Sequence, residues 1–192
     1  MKMNIAIFKA INGLVHECTL LDKIMILFSK YVPLVFIIGL AVLYLCGVHR
    51  KDKRLRCIAI STFVITVINL FISYMIGIFY YEPRPFVNYK VNLLLPHAVD
   101  ASFPSDHAIG TMSIALGITN HYRIYGRILI LISFLVGVSR IYVGHHFPMD
   151  VLGSYFIVLI SNYVYMYVLQ DKINEGYLKI EEFLIKYVTL TK

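Results

Sequence analysis

The chain has 192 residues, 59% of them hydrophobic, with a mean hydropathy of +0.73. Soluble domains are about 45–50% apolar, so the composition excludes an ordinary soluble protein and points to a membrane protein of one compact domain spanning residues 1–192. The formal charge is +7, but the basic residues sit between apolar runs, where they read as orientation signals rather than a nucleic-acid surface, and no nucleic-acid partner is expected.

In chain order, Ile5, Phe8, Ile11 and Val15 recur at helical spacing. They predict an amphipathic helix on the membrane surface, within an N-terminal interfacial segment of residues 1–22. Asp22 is read as the cap of the next helix. The core, residues 24–169, opens with an apolar run over 24–48, longer than the roughly 20 residues needed to cross a bilayer. Pro33 should kink it or split off a leading turn. No cleaved leader is expected, because no small-residue site follows this run. Cys18, Cys46 and Cys57 have neither paired nor metal-ligand spacing and read as packing residues.

Residues 57–80 form the second span, with Asn69 placed for a helix-to-helix hydrogen bond. Residues 82–104 hold four of the six prolines and predict an ordered loop. A helix should start at Pro104, Ser105 and Asp106, and its apolar run over 108–119 is short for a full crossing. Further spans are expected over 128–143 and 151–169. The tail, residues 171–192, predicts an amphipathic helix with a stripe of Ile173, Tyr177, Ile180, Leu184 and Tyr187. The fold class is therefore all-α: a polytopic membrane bundle of about five transmembrane helices plus amphipathic terminal helices.

Loops 49–56 and 120–127 carry seven Lys or Arg, whereas 82–104 and 144–150 carry only Arg84 and Lys90. The positive-inside rule then places the basic loops in the cytoplasm. It puts three polar clusters together on the outer face: Glu82 and Arg84; Ser105, Asp106 and His107; Arg140, His145, His146 and Asp150.

Polar groups are costly in such a chain and mark function by default. His146 and Asp150 are four apart where a helix begins at Pro148, so Asp150 is expected to accept a proton from one ring nitrogen and leave the other as a base or nucleophile. His107 stands at a helix start, where free N–H groups favour an anion, and suits a general acid. Arg84 and Arg140 offer planar forks for phosphate oxygens. Together these describe phosphoryl transfer. Zinc is the rival reading, but adjacent histidines cannot both face one ion from a regular helix, so no metal or other cofactor is expected. His145 reads as an interface residue, at most accessory.

On these residues the chain resembles the type 2 phosphatidic acid phosphatase superfamily. The signature that reads Pro-Ser-Gly-His in many members is here Pro104, Ser105, Asp106 and His107. A second, Ser-Arg, five residues, His, three residues, Asp, matches Ser139, Arg140, His146 and Asp150 at every fixed position. A third, Lys, six residues, Arg-Pro, keeps Arg84 and Pro85 but has Gly77 at the lysine position. Lys90 is the candidate substitute, and Glu82 is read as orienting an arginine. The resemblance implies a phosphohistidine on His146, Asp150 as its orienter, His107 as acid and no metal, with Arg84, Ser105, Asp106 and Arg140 bordering the phosphate. A narrower similarity, in Glu-Pro-Arg-Pro-Phe and Val-Gly-His-His-Phe-Pro-Met-Asp, is to bacterial undecaprenyl-diphosphatases of the bacitracin-resistance type. It implies hydrolysis of undecaprenyl diphosphate at the outer face of the plasma membrane, with recycling of the lipid carrier for peptidoglycan synthesis. The alternatives are another lipid phosphate, such as phosphatidylglycerophosphate or phosphatidate, or a permease subunit without catalysis. Oligomeric state is not legible.

Overall fold

An α-helix satisfies its backbone hydrogen bonds within one segment, which suits it to hydrocarbon. The computed structural model describes residues 2–190 and contains, among these, nine helices and no strand beyond one isolated bridge. They are α1 (Lys2–Asn12), α2 (Thr19–Lys30), α3 (Val32–His49), α4 (Lys53–Phe79), α5 (Pro85–Asn88), α6 (Asp106–Thr119), α7 (Arg123–Tyr142), α8 (Pro148–Val168) and α9 (Gln170–Leu190). Residues 1, 191 and 192 of the expected terminal helices lie outside the described residues.

Helices α3, α4, α7 and α8 are long and apolar enough to cross a membrane, so the chain is a multi-pass membrane protein. The remaining expected span, α6, has 14 residues, about 21 Å at 1.5 Å per residue. That falls short of a hydrocarbon core of roughly 30 Å. It needs little lipid contact, because it packs against α3, α4, α7 and α8 and buries Ala108, Ile109 and Ala115 completely. The bundle is four long helices around a short central one. Polar side chains join them: Asn69 donates to Ser113 at 2.8 Å, as expected for that residue, and the hydroxyls of Thr111 and Ser133 lie 2.8 Å apart. At Gly137 a Cβ would come within 2.2 Å of the Tyr155 hydroxyl, so a larger residue would force α7 and α8 apart.

Three expectations change. The run over 24–48 is two helices, broken at Tyr31, with Pro33 in the first turn of α3 where its missing N–H leaves no bond unmade. Asp22 is not a cap; Cys18 holds that position, and Asp22 lies in the first turn of α2. It accepts from the Tyr142 hydroxyl at 2.7 Å and from the N–H of His16 at 3.3 Å, a tertiary use that displaces the local one. Helix α1 does not merely rest on a surface. Phe8, 1% exposed, enters the core against Phe147, and the buried Asn12 amide donates to the carbonyls of Tyr142 (2.8 Å) and Asn92 (2.9 Å) while accepting from the N–H of Asn92 (2.9 Å).

At the opposite end, Asp52 caps α4 by accepting from the N–H groups of Arg54 and Leu55. Arg56 donates to the Gly47 carbonyl at 3.0 Å and to Glu181 at 2.9 Å, tying α9 across the start of α4. The stripe expected on α9 divides: Ile173 and Tyr177 are half-buried, while Ile180, Leu184 and Tyr187 are exposed.

Replacing Asn12 by Leu leaves the Tyr142 carbonyl buried without its partner, at about 1–3 kcal/mol, and removes the part-buried bonds to Asn92. Thermal unfolding in detergent should show a clear loss of stability for Asn12→Leu and almost none for Met3→Ala, whose side chain is exposed.

Candidate active site

At the end of the bundle where α4 and α7 finish, α6 and α8 begin. The proline-rich segment between α4 and α6 makes only the single turn α5, and it is stitched to the bundle at several points. Pro83 pairs with Ala101, and the N–H of Ser102 donates to the Glu82 carbonyl at 2.7 Å. The N–H of Leu94 donates to the Val143 carbonyl, and Nε2 of His145 donates to the Leu95 carbonyl at 2.8 Å. Gly144, at φ +90°, makes the tight turn that leads from α7 into the two histidines.

His146 is 1% exposed. Its Nδ1 lies 2.7 Å from the backbone carbonyl of Ser102. A carbonyl only accepts, so Nδ1 carries the hydrogen and Nε2 keeps its lone pair. Nη1 of Arg84 stands 3.0 Å from that Nε2. Burial, and after it the charges of Arg140 and Arg84, hold His146 well below the usual imidazole range, so it is neutral. Burial and Arg140 likewise push His145 down to about 3.

Asp150 does not take the proton of His146 directly. Its Oδ2 is 3.9 Å from Nδ1, beyond hydrogen-bond reach. The carboxylate accepts instead from the N–H of Phe147 at 2.8 Å and from the hydroxyl of Ser102 at 2.5 Å. The start of α8 exposes the Phe147 N–H, Asp150 folds back to cap it, and Ser102 comes between the carboxylate and the ring. Ser102 is thus a site residue that the motif spacing did not reveal. Its place beside Phe103 and Pro104 hints at it, but the working atom is a backbone oxygen, which no residue type advertises.

Arg84 and Arg140 are 5% and 3% exposed. Arg84 is held by Asp100 through Nε and by the His145 carbonyl through Nη1, at 3.0 Å. Arg140 donates through Nη1 to Ser29 at 2.8 Å, whereas its Nε and Nη2, and the hydroxyl of the fully buried Ser105, have no hydrogen-bond partner. Buried donors of this kind call for an acceptor.

The remaining candidates are spread around this centre. Asp106 is exposed and accepts from Ser73 at 2.6 Å. His107, half-buried, lines a cavity of about 240 Å³ with Asp106 and Lys30. Gly77 lines a neighbouring cavity of about 280 Å³ with Arg84 and Asp106, and a Cβ there would meet Ala101 at an ordinary 3.5 Å, so space does not demand the glycine. Glu82 does not orient an arginine: it accepts from the Tyr80 hydroxyl at 3.3 Å and faces a cavity shared with Asp150, while Asp100 holds Arg84. Lys90 is exposed on the loop and lines none of these three cavities. The His145 ring faces Leu95 and His97. Among the described residues, no three His, Cys, Asp or Glu stand close enough to hold a metal ion.

The profile of the PAP2 superfamily matches residues 56–174. The undecaprenyl-diphosphatase BcrC of Bacillus subtilis (strain 168) is 40% identical over 163 residues, which are 85% of this chain and 82% of that protein. The bacitracin transport permease protein BcrC of Bacillus licheniformis is 30% identical over 161 residues, 83% of this chain and 77% of that one. Among solved structures, Aquifex aeolicus LpxE superposes with a TM-score of 0.67 at 30% identity, covering 86% of this chain and 95% of its own. The transmembrane phosphatidylglycerolphosphate phosphatase of Bacillus subtilis has a TM-score of 0.65 at 21% identity, covering 93% and 85%, and so speaks to the fold alone.

The two buried histidines make stability depend on pH. Each has a folded pKa below the unfolded value of about 6.5. Above that pH both states are neutral and stability is complete. Below it only the unfolded chain takes up the proton, so stability falls with pH, for His145 down to about 3. The unfolding midpoint in detergent should drop as pH is lowered from 6.5 to 5, and His145→Gln should show a shallower slope.

Proposed function

The chain belongs to the PAP2 superfamily and is a membrane lipid phosphatase; from that premise we propose that it hydrolyses undecaprenyl diphosphate to the monophosphate and inorganic phosphate. The observation that carries this reading is a neutral histidine with its lone pair aimed at an arginine, beside buried donors of Arg140 and Ser105 that lack acceptors.

In the proposed reaction the terminal phosphate takes its oxygens to Arg84, Arg140, Ser105 and the free N–H groups at the start of α6. Nε2 of His146 attacks phosphorus. The bridging P–O bond breaks, its electron pair goes to the bridging oxygen, and His107, which takes up a proton from solvent as the anionic diphosphate binds, supplies the proton that the lipid monophosphate carries away. Water then attacks the phosphohistidine, giving up a proton to His107, and inorganic phosphate leaves. Ser102 and Asp150 are positioning residues, acting through the His146 ring.

The relatives with 40% and 30% identity supply the substrate in this proposal. Phosphatase action is favoured over a permease role because the middle of the bundle is filled by α6, with Ala108, Ile109, Met112 and Ala115 all buried. The basic loops and the site lie at opposite ends of the long helices, which supports an outward-facing site in a bacterial plasma membrane. There the enzyme would also lower the pool of diphosphate that bacitracin captures.

Purified protein should release phosphate from undecaprenyl diphosphate in excess chelator, and His146→Ala should reduce release to background. Equal rates in the two proteins would remove His146 as nucleophile, and loss of wild-type activity in chelator would return the metal reading. Ser102→Ala keeps the carbonyl but deletes the bond to Asp150. A hydrogen bond to a charged group is worth about 1.5–3 kcal/mol, so turnover should fall about 10- to 100-fold with KM little changed.

A further inference from the structure

The break between α2 and α3 at Tyr31 leaves Ser29 and Lys30 beside the site. Ser29 is fully buried and accepts from Arg140, so the end of α2 is pinned to one of the two phosphate-binding arginines. The next residue, Lys30, lines the same cavity as His107 and Asp106. Its ammonium is exposed, stands 5.3 Å from the centroid of the Tyr31 ring, and makes no ion pair within the described residues. From this polar mouth the cavity runs between α3, α4 and α6 along Pro33, Leu34, Ile37, Leu70 and Ile114. A Cβ on Gly110, one turn above His107, would meet nothing within 4 Å. Leu34 and Ile37 are largely exposed on the outside of α3, so this groove connects the site to the hydrocarbon.

The positive charges are unevenly shared. Arg84 is already paired with Asp100, and Arg140 faces the transferred phosphoryl group together with Ser105. Neither lines the cavity that holds His107, where the bridging oxygen and the phosphate that stays on the lipid must lie. Position 77 is glycine and Lys90 is remote, while Asp106 adds a carboxylate to that side. We propose that Lys30 binds the lipid-side phosphate of the diphosphate, drawing charge onto the leaving group and setting the preference for a diphosphate over a single phosphate. The inference rests on the reading of His107 as the acid for the leaving group.

The test is kinetic, on full-length protein in detergent, with undecaprenyl diphosphate as substrate and inorganic phosphate as a competing product that occupies only the transferred-phosphoryl position. Lys30→Gln should raise KM for the diphosphate about 10- to 100-fold, the range for one charge-assisted hydrogen bond. The inhibition constant of inorganic phosphate should move less than about threefold, and Lys30→Arg should recover most of the affinity. An unchanged KM, or an equal change in both constants, overturns the assignment. If wild-type protein releases no phosphate from undecaprenyl diphosphate, the substrate reading itself falls; if it does, a silent Lys30→Gln removes only Lys30.

Discussion

One hydrogen bond, from Nδ1 of His146 to the backbone carbonyl of Ser102, decides what the rest of the site can do. An imidazole has two nitrogens, and its partner selects which one carries the hydrogen. A carbonyl can only accept and does not titrate. It therefore orients the ring without adding the charge that would make the ring hold a second proton. The charge of Asp150 is used one step away, on the Ser102 hydroxyl and the Phe147 N–H. That carboxylate fixes where the carbonyl stands, and the backbone bond between Ser102 and Glu82 fixes it from the other side. Each bond in this chain relies on the next, so removing one member loosens the others.

The arginines follow from the same geometry. With His146 neutral, nothing on the ring offsets two buried guanidiniums. Arg84 has Asp100, but Arg140 meets only a serine hydroxyl, and its remaining donors are unmatched. A buried cation without a counter-ion is unfavourable. An arriving phosphate relieves that strain in charge, which makes anion binding the natural completion of the site.

How much of this was legible in the sequence depends on distance along the chain. The spacing of Arg140, His146 and Asp150 survives folding because one turn and one helix start connect them. The short run of α6 and the basic loops could also be read directly. Asp22, Phe8, Asn12, Ser29 and Lys30 could not, because their partners lie more than a hundred residues away or on other helices. Glu82 and Asp100 are both acids in the same proline-rich loop, and only the pairing of Pro83 with Ala101 selects Asp100 for Arg84. The role of Ser102 was hidden for a different reason: every residue except proline carries the same N–H and C=O, so a backbone acceptor leaves no mark on composition or spacing.

The shortness of α6 is what turns these contacts into a pocket. Asp106, its first residue, is bonded to Ser73, and Ser73 is six residues before the end of α4, about 9 Å along the axis. The floor of the site is therefore set below the rim that α4 forms. A recess needs walls, and the transmembrane helices α3 and α4 supply only part of them. The stitched segment between α4 and α6, helix α1 plugged in by Phe8 and Asn12, and helix α2 pinned by Asp22 and Ser29 fill that role. These pieces look peripheral in an apolar chain read for its spans. They are needed because a central helix of ordinary length would carry His107 up to the level of the rim and leave a phosphate nothing to enter.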